Sequence, residues 1–271
     1  MSQTTPPILA HKHYCAGSTF TPESLLREAR RQKGLPSAAV PEVCVLDPDG
    51  DIVRYLRDAG RAERHLAWAC YHTDLYAFRH DGREYGIVGS AVGAAFAVLI
   101  AEELFASGCQ LIISITSAGQ IAPVNAPPYF VVINRALRDE GTSYHYMRPS
   151  EYSDVDSQLA KLTQEAFATA GVSVTEGASW TTDAPFREKQ EAIDAALRAG
   201  ILAVEMEAAA LYAFARARNR AVLCFAHVTN QMGRIEGDFE KGRRRRPKES
   251  LQVISIAAGR WYDENDARKS R

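Results

Sequence analysis

The sequence has no excess of either charge and no long uninterrupted apolar run. Its 271 residues include 32 lysines and arginines against 33 aspartates and glutamates, a formal net charge of −1. Proteins that bind polyanions without specificity carry a basic excess, so composition gives nucleic acid no support as a partner. The longest apolar-rich stretch, 88–104, is interrupted by two glycines and a serine. It is too short to cross a bilayer, and no membrane association is predicted.

Cysteine is also scarce, and its spacing argues against a disulfide framework or a zinc site. The five cysteines include no CxxC pair, and most lie in apolar segments, as Cys224 does. This pattern favours reduced, buried thiols. The first ten residues lack a basic segment followed by an apolar core, so no signal peptide is predicted. We therefore expect a cytoplasmic protein, and the scattered histidines predict no metal site.

Strand patterns alternate with helix patterns along the chain. The predicted strands are 43–46, 76–78, 85–88, 111–115, 129–133, 172–178 and 222–228. The predicted helices are 21–34, 51–59, 91–106, 155–170, 187–199, 207–218 and 247–262. This alternation predicts one α/β domain with a mixed, largely parallel central sheet flanked by helices. We assign residues 1–20 to an N-terminal arm, 21–263 to the domain and 264–271 to a C-terminal tail.

Two carboxylates stand in an otherwise apolar segment near position 206. Glu205 and Glu207 flank Met206 among alanine, valine and leucine residues. Acidic residues are rarely buried without a partner. One interpretation is a structural role at a helix N-terminus, where negative charge is favourable. The other is that a carboxylate here holds a ligand.

Residues 204–212, which read VEMEAAALY, resemble the signature of the nucleoside phosphorylase superfamily. That group holds uridine phosphorylases, hexameric purine nucleoside phosphorylases and methylthioadenosine nucleosidases. Four further segments resemble the family in the same order, the second and fourth being closest to the uridine phosphorylase branch: 114–121, 137–145, 181–186 and 227–231. The resemblance implies a three-layer α/β/α domain. It also implies a homo-oligomer, a dimer or a hexamer, in which a neighbouring subunit completes each site.

The resemblance also implies roles in holding the sugar. Glu207 would bind the ribose hydroxyls and Met206 would pack against the ring, whereas Glu205 would be structural. Breaking an N-glycosidic bond builds positive charge on the sugar. A carboxylate that binds the diol orients the sugar and stabilises that charge, more strongly where water is excluded.

Other residues would hold the departing base. Phe186 would stack on it, and Asn230, Gln231 or Arg187 would hydrogen-bond to it. Asp183 either orients this loop or is an ordinary turn aspartate. Asn230 replaces the aspartate of the purine enzymes, which favours a pyrimidine or a 6-oxopurine.

The sequence departs from the family where phosphate would bind. Residues 46–50 read LDPDG and lack the arginine that the family has in this turn. A second family arginine, on the strand before the glycine turn, is replaced here by Ser114. In the family a neighbouring subunit contributes a third arginine to the phosphate site. The corresponding position in this sequence is near Tyr71 or His72, and it holds no arginine. Phosphate needs fixed cations or clustered N–H donors. The residues that remain to donate hydrogen bonds to phosphate are Ser90, Thr116, Ser117, Gly119 and His72.

These departures leave three functions open. Phosphorolysis of a ribonucleoside, with phosphate as co-substrate and no resident cofactor, is the family default. Hydrolysis is the alternative, because the nucleosidase branch activates water with a carboxylate that an ungapped comparison places at Asp51; the simpler role for Asp51 is to cap the following helix. A non-catalytic nucleoside-binding protein is the third. An arginine run at 243–246 is the only feature suggesting nucleic acid, and in a protein without net basic charge a solvated surface loop is the favoured interpretation.

Overall fold

Ten strands and eight helices form a single α/β domain in the computed structural model, which describes residues 5–232 and 246–269. The strands are β1 Val43–Asp47, β2 Ala62–Arg64, β3 Tyr76–His80, β4 Arg83–Gly89, β5 Leu111–Gln120, β6 Tyr129–Asp139, β7 Tyr152–Asp154, β8 Thr175–Thr182, β9 Ile201–Glu205 and β10 Ala221–Asn230. The helices are α1 Pro22–Lys33, α2 Asp51–Asp58, α3 Ala94–Ala106, α4 Ser143–Tyr146, α5 Ser157–Ala170, α6 Gln190–Arg198, α7 Ala208–Arg218 and α8 Arg246–Lys269.

All ten strands belong to one mixed sheet, whose order is β10-β6-β8-β9-β5-β1-β4-β3-β2, with β7 beside β6. The parallel neighbours of β5 are β1 and β10. The far end of β5 pairs antiparallel with β9 at Gly119 and Gln120. Because β10 pairs with both β5 and β6, the five strands β5, β10, β6, β8 and β9 close into a ring. The mixed sheet confirms the predicted fold class.

Side chains on the two faces of the sheet pack into two separate hydrophobic cores. Ile112 and Ala118 pack in the core shared with α3 and α7. Ile113 and Ile115 pack in the core shared with α2, α5 and α8. Successive residues of a strand point to opposite faces, so this one strand contributes to both layers. Helices on both faces give the expected three layers.

Helix α7 is buried along most of its length against the sheet. Its residues 208–215 are all buried, and four of the first six are alanine. The hydroxyl of Tyr212 donates to the carbonyl of Ile133 at 2.5 Å and accepts the N–H of Cys224 at 3.0 Å. These bonds join α7 to both β6 and β10. The N-terminus of α7 is thereby fixed at the edge of the sheet.

Several predicted elements differ from the observed ones. The sequence predicts no strand between 200 and 207, where the structure has β9, because five apolar-rich residues before a helix look like its beginning. The predicted helix 187–199 begins only at Gln190, after a short 3₁₀ turn at Pro185–Arg187. Residues 243–245 of the arginine run lie outside the described residues.

All five cysteines are free thiols in the structure, and all but Cys15 are buried. Among the described helices, none is both long and apolar enough to cross a membrane.

Candidate functional site

The carboxyl ends of several strands bring the predicted site residues to one edge of the sheet. Thr181 at the end of β8 lies in register with Glu205 at the end of β9. Gly119 of β5 lies in register with Asn230 of β10 and with Val204 of β9. Ligands of open α/β proteins gather at such an edge. The site is therefore assembled from chain segments that are far apart in sequence.

Glu205 is a structural cap, as expected. One oxygen, Oε2, accepts the N–H groups of Glu207 and Ala208, each at 2.7 Å. The other, Oε1, accepts the hydroxyls of Ser179 and Thr181, at 3.0 and 2.5 Å. The first N–H groups of a helix lack partners within it. Glu205 satisfies them from the preceding strand and is itself fully bonded.

Glu207 has a different environment two residues later. Its side chain is buried, and Oε1 accepts the N–H of Gly93 at 2.7 Å. The second oxygen, Oε2, accepts no hydrogen bond from the described residues. Burial, and then the charge of Glu205, raise the pKa of Glu207 to about 8. A buried carboxyl oxygen without a partner is suited to a ligand that donates hydrogen bonds.

Three aspartates surround the turn that follows β1, and each makes different contacts. Asp47 is buried and accepts the N–H groups of Ile52 and Val53, both at 2.9 Å, so it caps α2. Burial is the main cause that raises the pKa of Asp47 to about 7. Asp51 forms an ion pair with Arg54 at the surface of α2.

Asp49 reaches across to β5. Its carboxylate accepts the hydroxyl of Ser117 at 2.9 Å and the N–H of the same residue at 3.0 Å. Gly50, at φ +69°, makes this turn possible, because a Cβ there would lie 2.9 Å from the hydroxyl of Ser90. Ser90 itself donates its N–H to the carbonyl of Asp47 at 2.9 Å. The turn after β1 is thus bound to the ends of β4 and β5.

The small cleft beside this turn has an acidic lining. It is lined by Asp47, Asp49, Asp51, Ile52, Ile115, Ser117, His227, Thr229, Pro247 and Ser250. No lysine or arginine is among these lining residues, and the nearby Arg54 binds Asp51 and the carbonyl of Asp49. A fixed anion already occupies the donors of Ser117. Among the described residues, the lining of this cleft supplies no fixed cation for a second anion.

The loop after β8, which was predicted to contact the nucleobase, is exposed. Asp183 accepts the N–H of Gly141 at 2.8 Å and so joins the loop after β8 to the loop after β6. Phe186, on the 3₁₀ turn, is 100% exposed, and Arg187 beside it is also exposed. The aromatic ring is therefore available to cover a ligand, and no core contact holds it.

Asn230 lies beside the glycine turn of β5. Its Oδ1 accepts the N–H of Met232 at 3.0 Å, and its amide nitrogen donates to the hydroxyl of Thr229 at 3.3 Å. A Cβ at Gly119 would lie 3.5 Å from that Oδ1. Gln231 follows and is partly exposed.

The remaining predicted residues lie around this edge at different depths. Met206 is half-buried between the two glutamates, and Ser90 is exposed at φ +64°. His72 is exposed on a separate loop, where its ring meets Phe96 edge-on with centroids 6.4 Å apart. The histidine is thus placed next to α3, the helix that begins after Gly93.

Two contributors to the site, Gly93 and Thr181, had no individual role predicted from the sequence, although Thr181 begins the family-like segment 181–186. Gly93 supplies the N–H that holds Glu207, and only its place before an alanine-rich helix could have drawn attention to it. Thr181 accepts the N–H of Ala209 at 2.9 Å while donating to Glu205. No metal-binding group of three or more histidine, cysteine or acidic side chains occurs in the described part of the chain.

Comparison with known proteins places the chain among nucleoside-processing proteins. A family model described as the phosphorylase superfamily matches residues 42–258. Uridine phosphorylase of Thermococcus kodakarensis is 24% identical over 242 residues, which cover 80% of this chain and 86% of that protein. Guanosine phosphorylase of Halorubrum lacusprofundi is 29% identical over 170 residues, 59% of this chain and 69% of the relative.

A solved structure shares the fold of this chain. A mutant of Helicobacter pylori MTAN, with 5′-methylthioadenosine in its active site, superimposes with a TM-score of 0.65 at 14% identity. The match covers 81% of this chain and 98% of that one.

Proposed function

The chain belongs to the phosphorylase superfamily, whose members are nucleoside phosphorylases and nucleosidases, and we propose that it cleaves the N-glycosidic bond of a ribonucleoside. The observation that carries the proposal is the buried carboxyl of Glu207 at the N-terminus of α7, whose Oε2 accepts no hydrogen bond within the described part of the chain. A sugar diol supplies the donors that this oxygen lacks.

The carboxyl group acts through charge and orientation. As the bond from C1′ to the base breaks, positive charge grows on the ribose ring. A carboxylate fixed by Gly93 and bonded to the sugar hydroxyls stabilises that charge without having to reorganise. Met206 packs beside the ring. Phe186 covers the departing base, and Asn230, Gln231 or Arg187 donates to it.

The attacking group is phosphate or water, and different observations support each. The two relatives described above are both named as phosphorylases, which supports phosphate. The acidic cleft and the anion already bound to Ser117 support water. In the hydrolytic reaction a carboxylate of the turn after β1, that of Asp51 or Asp49, takes a proton from water while the oxygen of that water bonds to C1′. The base leaves with the electron pair of the broken N-glycosidic bond.

A paired assay tests the proposal. Uridine, guanosine, inosine and 5′-methylthioadenosine are incubated with the protein in buffers with and without phosphate. Free base, ribose and ribose 1-phosphate are measured, and for 5′-methylthioadenosine the corresponding 5-methylthio sugars. Ribose 1-phosphate formed only with phosphate establishes phosphorolysis, and equal base release in both buffers establishes hydrolysis. A protein that binds nucleosides in calorimetry but releases no base is the non-catalytic alternative and would reject the catalytic proposal.

The matched variants are Glu207→Gln and Glu103→Gln. Glu103 is also buried, and neither of its oxygens has a hydrogen-bond partner among the described residues, but it lies near the far end of α3 from Gly93. We expect Glu207→Gln to lower kcat/KM by ~100-fold or more and Glu103→Gln to leave it near wild type. Equal activity of the two variants would remove Glu207 from the mechanism.

A further inference from the structure

We propose that Glu205 is a positioning residue, which holds a fixed negative charge beside Glu207 and so keeps Glu207 protonated and correctly oriented until a nucleoside binds. This inference rests on the proposed function. It concerns a residue that does not itself touch the sugar, since both of its oxygens are already occupied within the protein.

The first part of the argument is geometric. Glu205 accepts the N–H of Glu207 itself, so it sets the backbone from which that side chain projects. Thr181 completes the arrangement, because its hydroxyl donates to Glu205 and accepts the next N–H of the helix, that of Ala209. Three successive N–H groups of the turn into α7 are therefore satisfied by two side chains from β9 and β8.

The second part concerns which carboxyl group carries the charge. Burial raises the pKa of both carboxyl groups. At Glu205 four hydrogen-bond donors oppose that rise, whereas Glu207 accepts the N–H of Gly93 at 2.7 Å and interacts more weakly with Thr116 and the N–H of Met206. Two interacting buried carboxyl groups do not both ionise readily, and the one that accepts more hydrogen bonds keeps the charge. The other titratable groups facing the pair are Cys224 of β10 and Tyr212 of α7. Burial raises the pKa of each well above its ordinary value, so both stay neutral.

This arrangement predicts that binding releases a proton. Sugar hydroxyls that donate to Glu207 favour its ionised form, so its pKa falls in the complex. Near neutral pH the proton then passes to the buffer. The charged Glu207 is created only when the sugar that it must stabilise is in place, and Glu205 supplies the neighbouring charge that makes this switch possible.

The test combines kinetics with calorimetry on the intact protein. In Glu205→Gln the neighbouring charge is gone, so the acidic midpoint of kcat/KM should move to lower pH, and kcat should fall by ~10-fold or more. Nucleoside binding at pH 7, measured in buffers of different ionisation enthalpy, should release fewer protons than in the wild type. A lower Tm with unchanged pH midpoint and proton release would overturn the inference.

Variants at Thr181 keep the test decisive if Glu205→Gln does not fold. Thr181→Val removes the hydroxyl at nearly constant volume, and Thr181→Ser keeps it. We expect kcat/KM to fall by ~10-fold in the valine variant and to remain near wild type in the serine variant. Equal loss in both variants would contradict the proposed network.

The outcome is also separable from failure of the proposed function. Titration of carboxyl-labelled glutamate by NMR, with Glu207→Gln identifying the signal, reads the ionisation of Glu207 without any substrate. A wild-type protein that neither binds nor cleaves nucleosides would reject the function. A Glu207 signal that titrates identically in wild type and Glu205→Gln would reject the positioning role alone.

Discussion

The carboxylate of Asp49 accepts both the N–H and the hydroxyl of Ser117, at 3.0 and 2.9 Å. These two donors stand at the carboxyl end of a central strand, a position where an anionic ligand would otherwise find partners. An aspartate from the chain takes that place. The relationship gives a physical basis for asking whether this protein uses phosphate at all.

Asp49→Asn tests that relationship. The amide offers one acceptor instead of two charged oxygens, so Ser117 loses part of its partner, and any role of Asp49 as a base is lost. If water is the attacking group, we expect base release in phosphate-free buffer to fall by ~10-fold or more. The control is Asp58→Asn, an exposed aspartate at the other end of α2. A phosphate-dependent gain in the Asp49 variant would instead show that the wild-type carboxylate excludes phosphate from a phosphorylase site.

The raised pKa of Glu207 has a consequence for stability. A carboxyl whose pKa is about 8 in the folded protein and near 4.5 when unfolded binds more protons in the native state across that interval. The contribution of this group to the free energy of unfolding is therefore fully present below about pH 4.5 and is lost as the pH rises through about 8. Glu207→Gln has no proton to lose. We expect the variant to gain roughly 1–3 kcal/mol over the wild type between pH 5 and pH 9 in denaturant titrations. A constant difference between the two proteins would contradict the burial of this charge.

Phe186→Ala separates a binding role from a structural one. The ring is 100% exposed, so its removal should change the free energy of unfolding by less than about 0.5 kcal/mol. If the ring stacks on the base, KM should rise by ~5-fold or more. Leu197→Ala, which removes a 45% exposed side chain near the end of α6, is the matched control. Equal KM values in the two variants would leave Phe186 without a role in binding.

Gly119→Ala probes the close packing beside Asn230. The added Cβ would lie 2.8 Å from Cγ of Met232 and 3.2 Å from Cγ1 of Val204. The methionine side chain can move, but it adjoins the segment that holds Asn230. We expect KM to rise by ~3-fold or more, with a loss of about 1 kcal/mol in the free energy of unfolding. Gly17→Ala serves as control, because a Cβ there meets nothing within 4 Å. Identical KM values would place Asn230 outside the binding site.

Local patterns were sufficient for most of the fold. Apolar runs and their breaks predicted seven of the strands, since a buried strand must be continuously apolar and a turn must interrupt it. Strand β9 was not predicted, because only Met206 and Glu207 separate its five residues from α7 and the whole segment looks like one helix. The charged pair at 205 and 207 was recognisable because carboxylates in an apolar segment need a reason to be there.

The sequence by itself determined the class of fold and the family resemblance, and it singled out Glu207 as a candidate, because periodicity, composition and a nine-residue string are all local properties. Only the tertiary structure decided how the acids differ: Asp47 caps a helix, Asp49 binds Ser117, Asp51 pairs with Arg54, and one oxygen of Glu207 has no partner among residues 5–232 and 246–269. Those partners come from strands and helices distant in the chain. The ionisation and availability of a carboxyl group depend on its neighbours in space, and no local pattern specifies them.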